Sequence, residues 1–440
     1  MTTTTASRYT AEYQSLAPVL PGQDLSWLQQ LRAQALEKFS AQGFPSLREE
    51  EWRYTNVSAI EKKLFSPSIN RASSPIDTDW LKQYQLEDAW SVVLVDGHFS
   101  AELSVLAGLP DSVSVLSMAD ALVKYPTLLE THMGQAVDNA EHSFIAFNTA
   151  WFTDGLFVHV PARQVLAKPI QVLHIATQAD VLATTRTVII ADALAEAKII
   201  ETFAGLDVAY LSAAVTEVSV GANADITLYK MQCESEIAYH FGGTYVKQAR
   251  DARFTHHNFA FGGLLARSDI HADLDVASEC ELNGLYLGVK RQHIDNHTRI
   301  NHLMPNAISR ELYKGVLDDR ARGVFQGRVI VDIDAQKTDS QMNNRNLLLS
   351  EDAEADTKPQ LEIYADDVKC GHGVTVGQLD EKSIFYLQSR CIDEETARNM
   401  LTFAFANEMV DKIKIKSLHD RVLEQVLVRF PQEGVEKNWL

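Results

Sequence analysis

AEAKI (195–199), ANADI (222–226) and ARSDI (266–270) each set small residues and a charge just ahead of an apolar run. A β-solenoid rung often begins this way, with a tight corner feeding a strand that stacks on its neighbour. Around these echoes lie many short runs rich in Val, Ile, Thr, Tyr and Phe, alternating with period two. They are Ser91–Asp96, Leu156–Val160, Ile170–Ile175, Thr187–Ile190, Ala197–Thr202, Ile226–Met231, Arg253–Phe261, Ile270–Val276, Leu282–Val289 and Gly327–Ile333. Long amphipathic helices are absent between them, which argues against a doubly wound α/β fold, where a helix must join parallel strands. The echo is irregular in spacing, so by itself it leaves a solenoid and a large sandwich both open.

Outward from this stretch the texture becomes helical on both sides. Leu25, Leu28, Leu31, Ala35, Leu36 and Phe39 recur at helical spacing after a Pro21-Gly22-Gln23-Asp24 turn with Asp24 as cap, and Gly43-Phe44-Pro45 stops the run. Ser46-Leu47-Arg48-Glu49 reads as a capping box for a short second helix. Near the other end, Asp380, Asp393 and Ser417 read as caps of three helices. The second carries Met400, Leu401, Phe403, Ala404 and Met409, and the third Leu418, Val422, Leu423, Val426 and Leu427. Apolar residues over so much of the circumference serve either the helices' own domain or another subunit. The expected organisation is an N-terminal helical domain at 1–85, a mainly β core at 86–379 and a C-terminal helical domain at 380–440.

Composition narrows the function. Forty Lys and Arg stand against fifty-nine Asp and Glu, a net charge of −19 over 440 residues. No basic stripe offers a nucleic acid its footprint, and anionic lipid would be repelled, so neither nucleic acid nor membrane is an expected partner. Cys233, Cys280, Cys370 and Cys391 are few, far apart and without a CxxC pair, which fits a reducing compartment and excludes a disulfide framework. The opening MTTTTASRYTAEYQ lacks a charged-then-apolar signal pattern, so the expected location is cytoplasmic. GxxxxGK[ST], GxGxxG after a strand, GxSxG and HExxH are all missing, which weakens an enzyme reading.

Three constellations carry chemistry. In DDVKCGHGVTVG (366–377), a strand would turn Cys370 and His372 to one face, and a thiolate beside an imidazole suits zinc, iron or an iron–sulfur cluster. Two donors do not close a site, so the rest must come from elsewhere in the chain or from a partner. The bland alternative is a buried Cys and a hydrogen-bonded His. His293, His297 and His302 form the densest histidine cluster, with Asp295 placed to orient one of them; structural turn histidines are the favoured reading. His271, Asp273 and Asp275 alternate along one strand face, as in a carbohydrate-active β-helix enzyme using paired aspartates, but such a row is more often a solvated face.

Read together, the segments HIDNHT (293–298), SRELYKGVL (309–317), ARGVF (321–325), QKTD (336–339), NLLLS (346–350), TKPQLEI (357–363) and DDVKCGHG (366–373), with EEWRYT (50–55) near the start, resemble the SufB/SufD family of iron–sulfur cluster assembly scaffolds. The likeness is dense from about 280 to 410 and patchy before. It implies a right-handed parallel β-helix flanked by N- and C-terminal α-helical domains, with no catalytic residues of its own. It implies a SufB partner paired through the β-helix, a SufC ATPase docked on the C-terminal helices, and a transient cluster or iron held where SufB meets this chain. His372 matches the family's histidine ligand, and Cys370 a cysteine often found beside it. It also links the complex to reduced flavin (FADH2), whose binding residues the likeness does not place on this sequence. A lone chain could also homodimerise through the surface meant for SufB. The segment SEDAEAD (350–356) lacks the cysteine of SufB-like chains, which favours the SufD branch. Cys391 departs from the pattern, standing where relatives often have glycine.

Overall fold

The computed structural model describes residues 5–68, 76–137 and 143–430. Its body is a β-solenoid of about eight turns. Successive strands alternate between two sheets, so each turn contributes one strand to each. In one sheet Glu196 pairs with Asp225, Asp225 with Arg253, Arg253 with Glu279, Glu279 with Ile308, Ile308 with Asp339 and Asp339 with Lys369, all in parallel. The repeat is therefore about 26–31 residues per turn.

One corner explains the regularity. Leu194, Asn223, Asp251, Ala277, Asn306 and Lys337 all adopt positive φ, between 54° and 65°. Such a conformation is strained for residues with a Cβ. Here each one's N–H donates to a carbonyl in the corner of the next turn: Ala222, Arg250, Val276, Pro305, Gln336 and Asp367 respectively. The residue that follows is small and buried in every case: Ala195, Ala224, Ala252, Ser278, Ala307 and Thr338. Hydrogen bonding and burial together offset the strain at each corner.

The interior is divided. One side is apolar, filled by residues such as Ile199, Ile226, Phe254, Leu282 and Phe325. The other holds polar groups, several of them paired: Lys230 Nζ donates to Ser268 Oγ at 3.0 Å, and Asn258 Nδ2 to Asn296 Oδ1 at 2.8 Å. Buried Glu234 accepts from Ser212 Oγ at 2.6 Å and pairs with His240 Nδ1 at 2.8 Å. Buried polar groups are tolerated when paired in this way.

Helices cover the outside of both sheets. Thr5–Leu16, Ser26–Gln42 and Ser143–Trp151 pack aromatic side chains on the first sheet, the one that contains strand Tyr239–Gln248, the sheet of Glu196 and Asp225 being the second; the Phe144 and Phe241 rings stack there with centroids 3.8 Å apart. Glu394–Val410 and Lys416–Arg429 set Phe403, Ala406, Met409, Leu418, Val422 and Val426 against Tyr229, Phe259, Leu285, Val316 and Leu347 of the second. Lys314 fixes that contact: its Nζ donates to the Phe405 carbonyl at 2.9 Å and pairs with Glu408. Most of the grease of the C-terminal helices is thus spent on their own chain. Phe385 and Tyr386, on the preceding helix Glu381–Gln388, stay exposed.

Several local expectations change. The capping box bond forms, with Ser46 N–H donating to Glu49 at 2.7 Å, but only a 3-10 turn, Glu50–Trp52, follows. Asp24 does not cap; the helix starts at Ser26 after Leu25, with no side-chain cap. Asp380 and Asp393 cap as expected, whereas Ser417 lies inside its helix and donates instead to Asp88. The span 86–379 also contains helices Met118–Lys124, Pro126–His132 and Ser143–Trp151. Every residue of the last is buried, so it shows no amphipathic period. AEAKI and ANADI do open neighbouring rungs, but Ile226 pairs with Ala197 and not Ile199. ARSDI lies within a strand of the other sheet.

Candidate functional site

The two ends of the solenoid differ. At its start, the first strand of each sheet is bordered by an antiparallel neighbour: Trp90–Val95 by His98–Val105, and Asp154–Val160 by Ser114–Ser117. At its finish, Glu354–Ile363 and Lys369–Gly377 are the last strands of their sheets, each paired on one side only. Neither contains a buried residue. Ile363, Tyr364 and Val376 are exposed there.

Cys370 and His372 lie on that last strand, two residues apart and so on one face. The register puts Cys370 beside Ser340 and His372 beside Met342. Met342 belongs to the interior core and Cys370 packs against it, so the shared face points inward. Among the described residues no further turn covers it, and His372 is exposed. Burial pushes the half-buried Cys370 thiol up, against a smaller opposing effect of a backbone hydrogen bond with Ser340. Gly371 and Gly373 sit opposite Gln341 and Asn343; a Cβ at Gly373 would come within 2.8 Å of Asn343 Oδ1. Among the described residues no three His, Cys, Asp or Glu side chains come together to hold a metal ion. Cys370 and His372 thus stand at the mouth without a third such side chain beside them.

The histidine cluster has a structural place. Thr55 Oγ1 donates to Asp295 Oδ2 at 2.6 Å and lies 2.9 Å from His293 Nε2. Asp295 also pairs with His297 Nε2 at 3.0 Å and Arg267 Nη1 at 3.2 Å, and the Arg267 guanidinium lies 3.7 Å over the Trp52 ring. Burial alone would raise the Asp295 carboxyl, but His297 and Arg267 outweigh it and hold it at about 2. EEWRYT and HIDNHT, distant in sequence, thus meet on the outer face of the first sheet and lock the N-terminal region to the solenoid. His302 lies apart, with Nε2 2.9 Å from Ser309 Oγ, and burial pushes it down to about 4.

The aspartate row does not form a matched pair. Asp273 lies on strand Leu265–Leu274 and accepts from Asn301 Nδ2 at 2.7 Å. Asp275 lies beyond the strand, where its carboxylate accepts from the N–H of Val276 and its carbonyl closes the corner through Ser278.

The fold defines a protein of the parallel two-sheet solenoid class, capped at one end and presenting a Cys and a His at the other. Residues 174–405 match the SUF system FeS cluster assembly, SufBD core domain, and residues 3–172 match the SufBD protein N-terminal region. The chain belongs to this SufBD family of iron–sulfur cluster assembly proteins. It is 33% identical over 405 residues to the iron–sulfur cluster assembly protein SufD of Escherichia coli, covering 90% of this chain and 92% of that one. It is 30% identical over 425 residues to a SufBD family protein of Synechocystis, covering 93% of each. The SufD protein of Bacillus subtilis is 26% identical over 426 residues, covering 92% of this chain and 94% of the relative. No helix among the described residues is long and apolar enough to cross a membrane.

Proposed function

We propose that this chain is the SufD-type scaffold subunit of a SufB–SufC–SufD complex, and that its bare end is where SufB pairs. The observation that carries this reading is His372: an exposed imidazole on an inward-facing position of an edge strand, beside Cys370, with no third His, Cys, Asp or Glu among the described residues to close a metal site. Edge strands left open in this way are templates for a second chain. SufB would supply the remaining ligands, the cluster or iron being cargo built across the interface, with His372 a ligand and Cys370 an auxiliary thiol. SufC would dock on the C-terminal helices, where Phe385 and Tyr386 remain exposed. ATP hydrolysis belongs to SufC, and its movement would rearrange the SufB interface.

The groove beside the C-terminal helices does not fit reduced flavin. The groove of about 670 Å3 between residues 82–91 and 416–421 is lined by Lys82, Glu87, Asp88, Lys416, Asp420 and Arg421 and lacks an aromatic wall. No flavin step is placed on this chain.

The test is anaerobic cluster reconstitution on the co-purified complex, comparing the parent with His372→Ala by visible absorption and iron content. Loss of cluster with assembly intact supports the reading. Unchanged yield would make His372 structural and leave the chemistry to the partner.

A further inference from the structure

The register at the bare end brings a third donor to Cys370 and His372. Met342 pairs directly with His372 on the neighbouring strand, while Cys370 lies two residues before His372 on its own. All three face inward. With strands about 4.8 Å apart and alternate residues about 6.6 Å apart, their Cα atoms form one small triangle. A thiol, an imidazole and a thioether make a soft donor set, and the triangle contains no carboxylate. We propose that Cys370, His372 and Met342 form a binding site for a soft monovalent metal ion of the copper(I) class.

Two features of the surroundings support this. Across the interior, Gly327 leaves the space that Met342 fills: a Cβ there would lie 2.6 Å from Met342 Sδ. The thioether is therefore packed against Gly327 on the facing sheet, one strand in from His372, and its flexible side chain can turn to a ligand. No later turn lies over the triangle, and exposed His372 opens it to solvent. A hard, oxygen-seeking divalent ion finds no carboxylate in the triangle, whereas a copper(I) ion finds a thiol, an imidazole and a thioether. On binding, the Cys370 S–H bond breaks, its proton leaves to solvent and a sulfur–copper bond forms. No electron is transferred.

Because the site shares Cys370 and His372 with the proposed cluster-building position, copper(I) would block that position. This consequence rests on the reading above, whereas binding to the isolated chain does not.

The experiment is an anaerobic titration of the isolated full chain with copper(I) in competition with bicinchoninate. It is done in a Cys391→Ser background to remove the exposed thiol. One copper(I) per chain is expected, abolished in Cys370→Ser and weakened by roughly tenfold or more in Met342→Leu. Met342→Leu conserves volume, so its thermal unfolding should stay close to the parent's and serves as the folding check. Failure of the chain to compete for copper(I), or a Met342→Leu affinity equal to the parent's, would overturn the site. A His372→Ala complex that still builds cluster would sink the scaffold reading instead, and would leave the copper(I) result standing.

Discussion

The start and the finish of the solenoid are built from the same repeat, yet only one is completed. At the start, antiparallel strands and helices close the stack, and Val92, Leu94, Leu156 and Val158 are fully buried. At the finish, the last strand of each sheet is only half covered, and its outer edge has no neighbour. A repeat protein normally needs a polar cap at each end to stay soluble. Among the described residues the finish carries no such cap, and Cys370 and His372 sit on that uncovered end.

The largest expected effect probes the locked middle against the loose finish. Asp295→Ala leaves Arg267 buried without one of its carboxylates and should cost roughly 3–5 kcal/mol in denaturant unfolding. The same cluster governs acid stability. Its contribution is complete above the ordinary carboxylate value of 3.8 and is lost as pH falls through about 2. Asp295→Asn should therefore flatten the stability profile between those values, and a profile like the parent's would remove Asp295 from the lock.

Glu311, buried inside two turns from the mouth, runs the opposite way. Burial raises its carboxyl to about 7, with a smaller opposing hydrogen bond from Thr298. Its acid form is favoured by folding, so its stabilising effect is present below 4.5 and fades as pH rises to about 7. Glu311→Gln should gain on the order of 3 kcal/mol over the parent at pH 8 and little at pH 4. Equal gains at both would contradict the buried neutral acid.

A matched pair tests the comparison directly. Leu94→Ala at the closed start should cost more than Leu361→Ala at the bare finish by about 2 kcal/mol, because only the first leaves a sealed cavity. Equal costs would mean the finish is packed like the start. The smallest effect is His372→Ala, which should change the isolated chain's unfolding by less than about 0.5 kcal/mol, since the residue is exposed.

These differences also explain what could be read in advance. Strands such as Ile226–Met231 announce themselves because their inward positions are aliphatic. Ile308–Leu317, Asp339–Leu348 and Glu354–Ile363 do not, because Ser309, Asn344 and Asn346 face inward and charges such as Arg310 and Lys358 face out. Period two alone put Cys370 and His372 on one face. Met342 could not be seen beside them, since that contact depends on a register thirty residues long. A usable signal was present at the corners, where a small residue recurs ahead of each strand. The echoes captured it only partly, because they aligned letters and not hydrogen-bonded neighbours.

The corner ladder has a consequence for distance. At this corner each turn is tied to the next by one N–H and one carbonyl, whatever the number of residues between them, so turns of unequal length still stack at one spacing. The solenoid is then a ruler graduated in steps of about 4.8 Å. Deleting or duplicating a whole turn would move the His372 mouth nearer to or farther from the N-terminal region by one graduation, leaving the mouth itself unaltered.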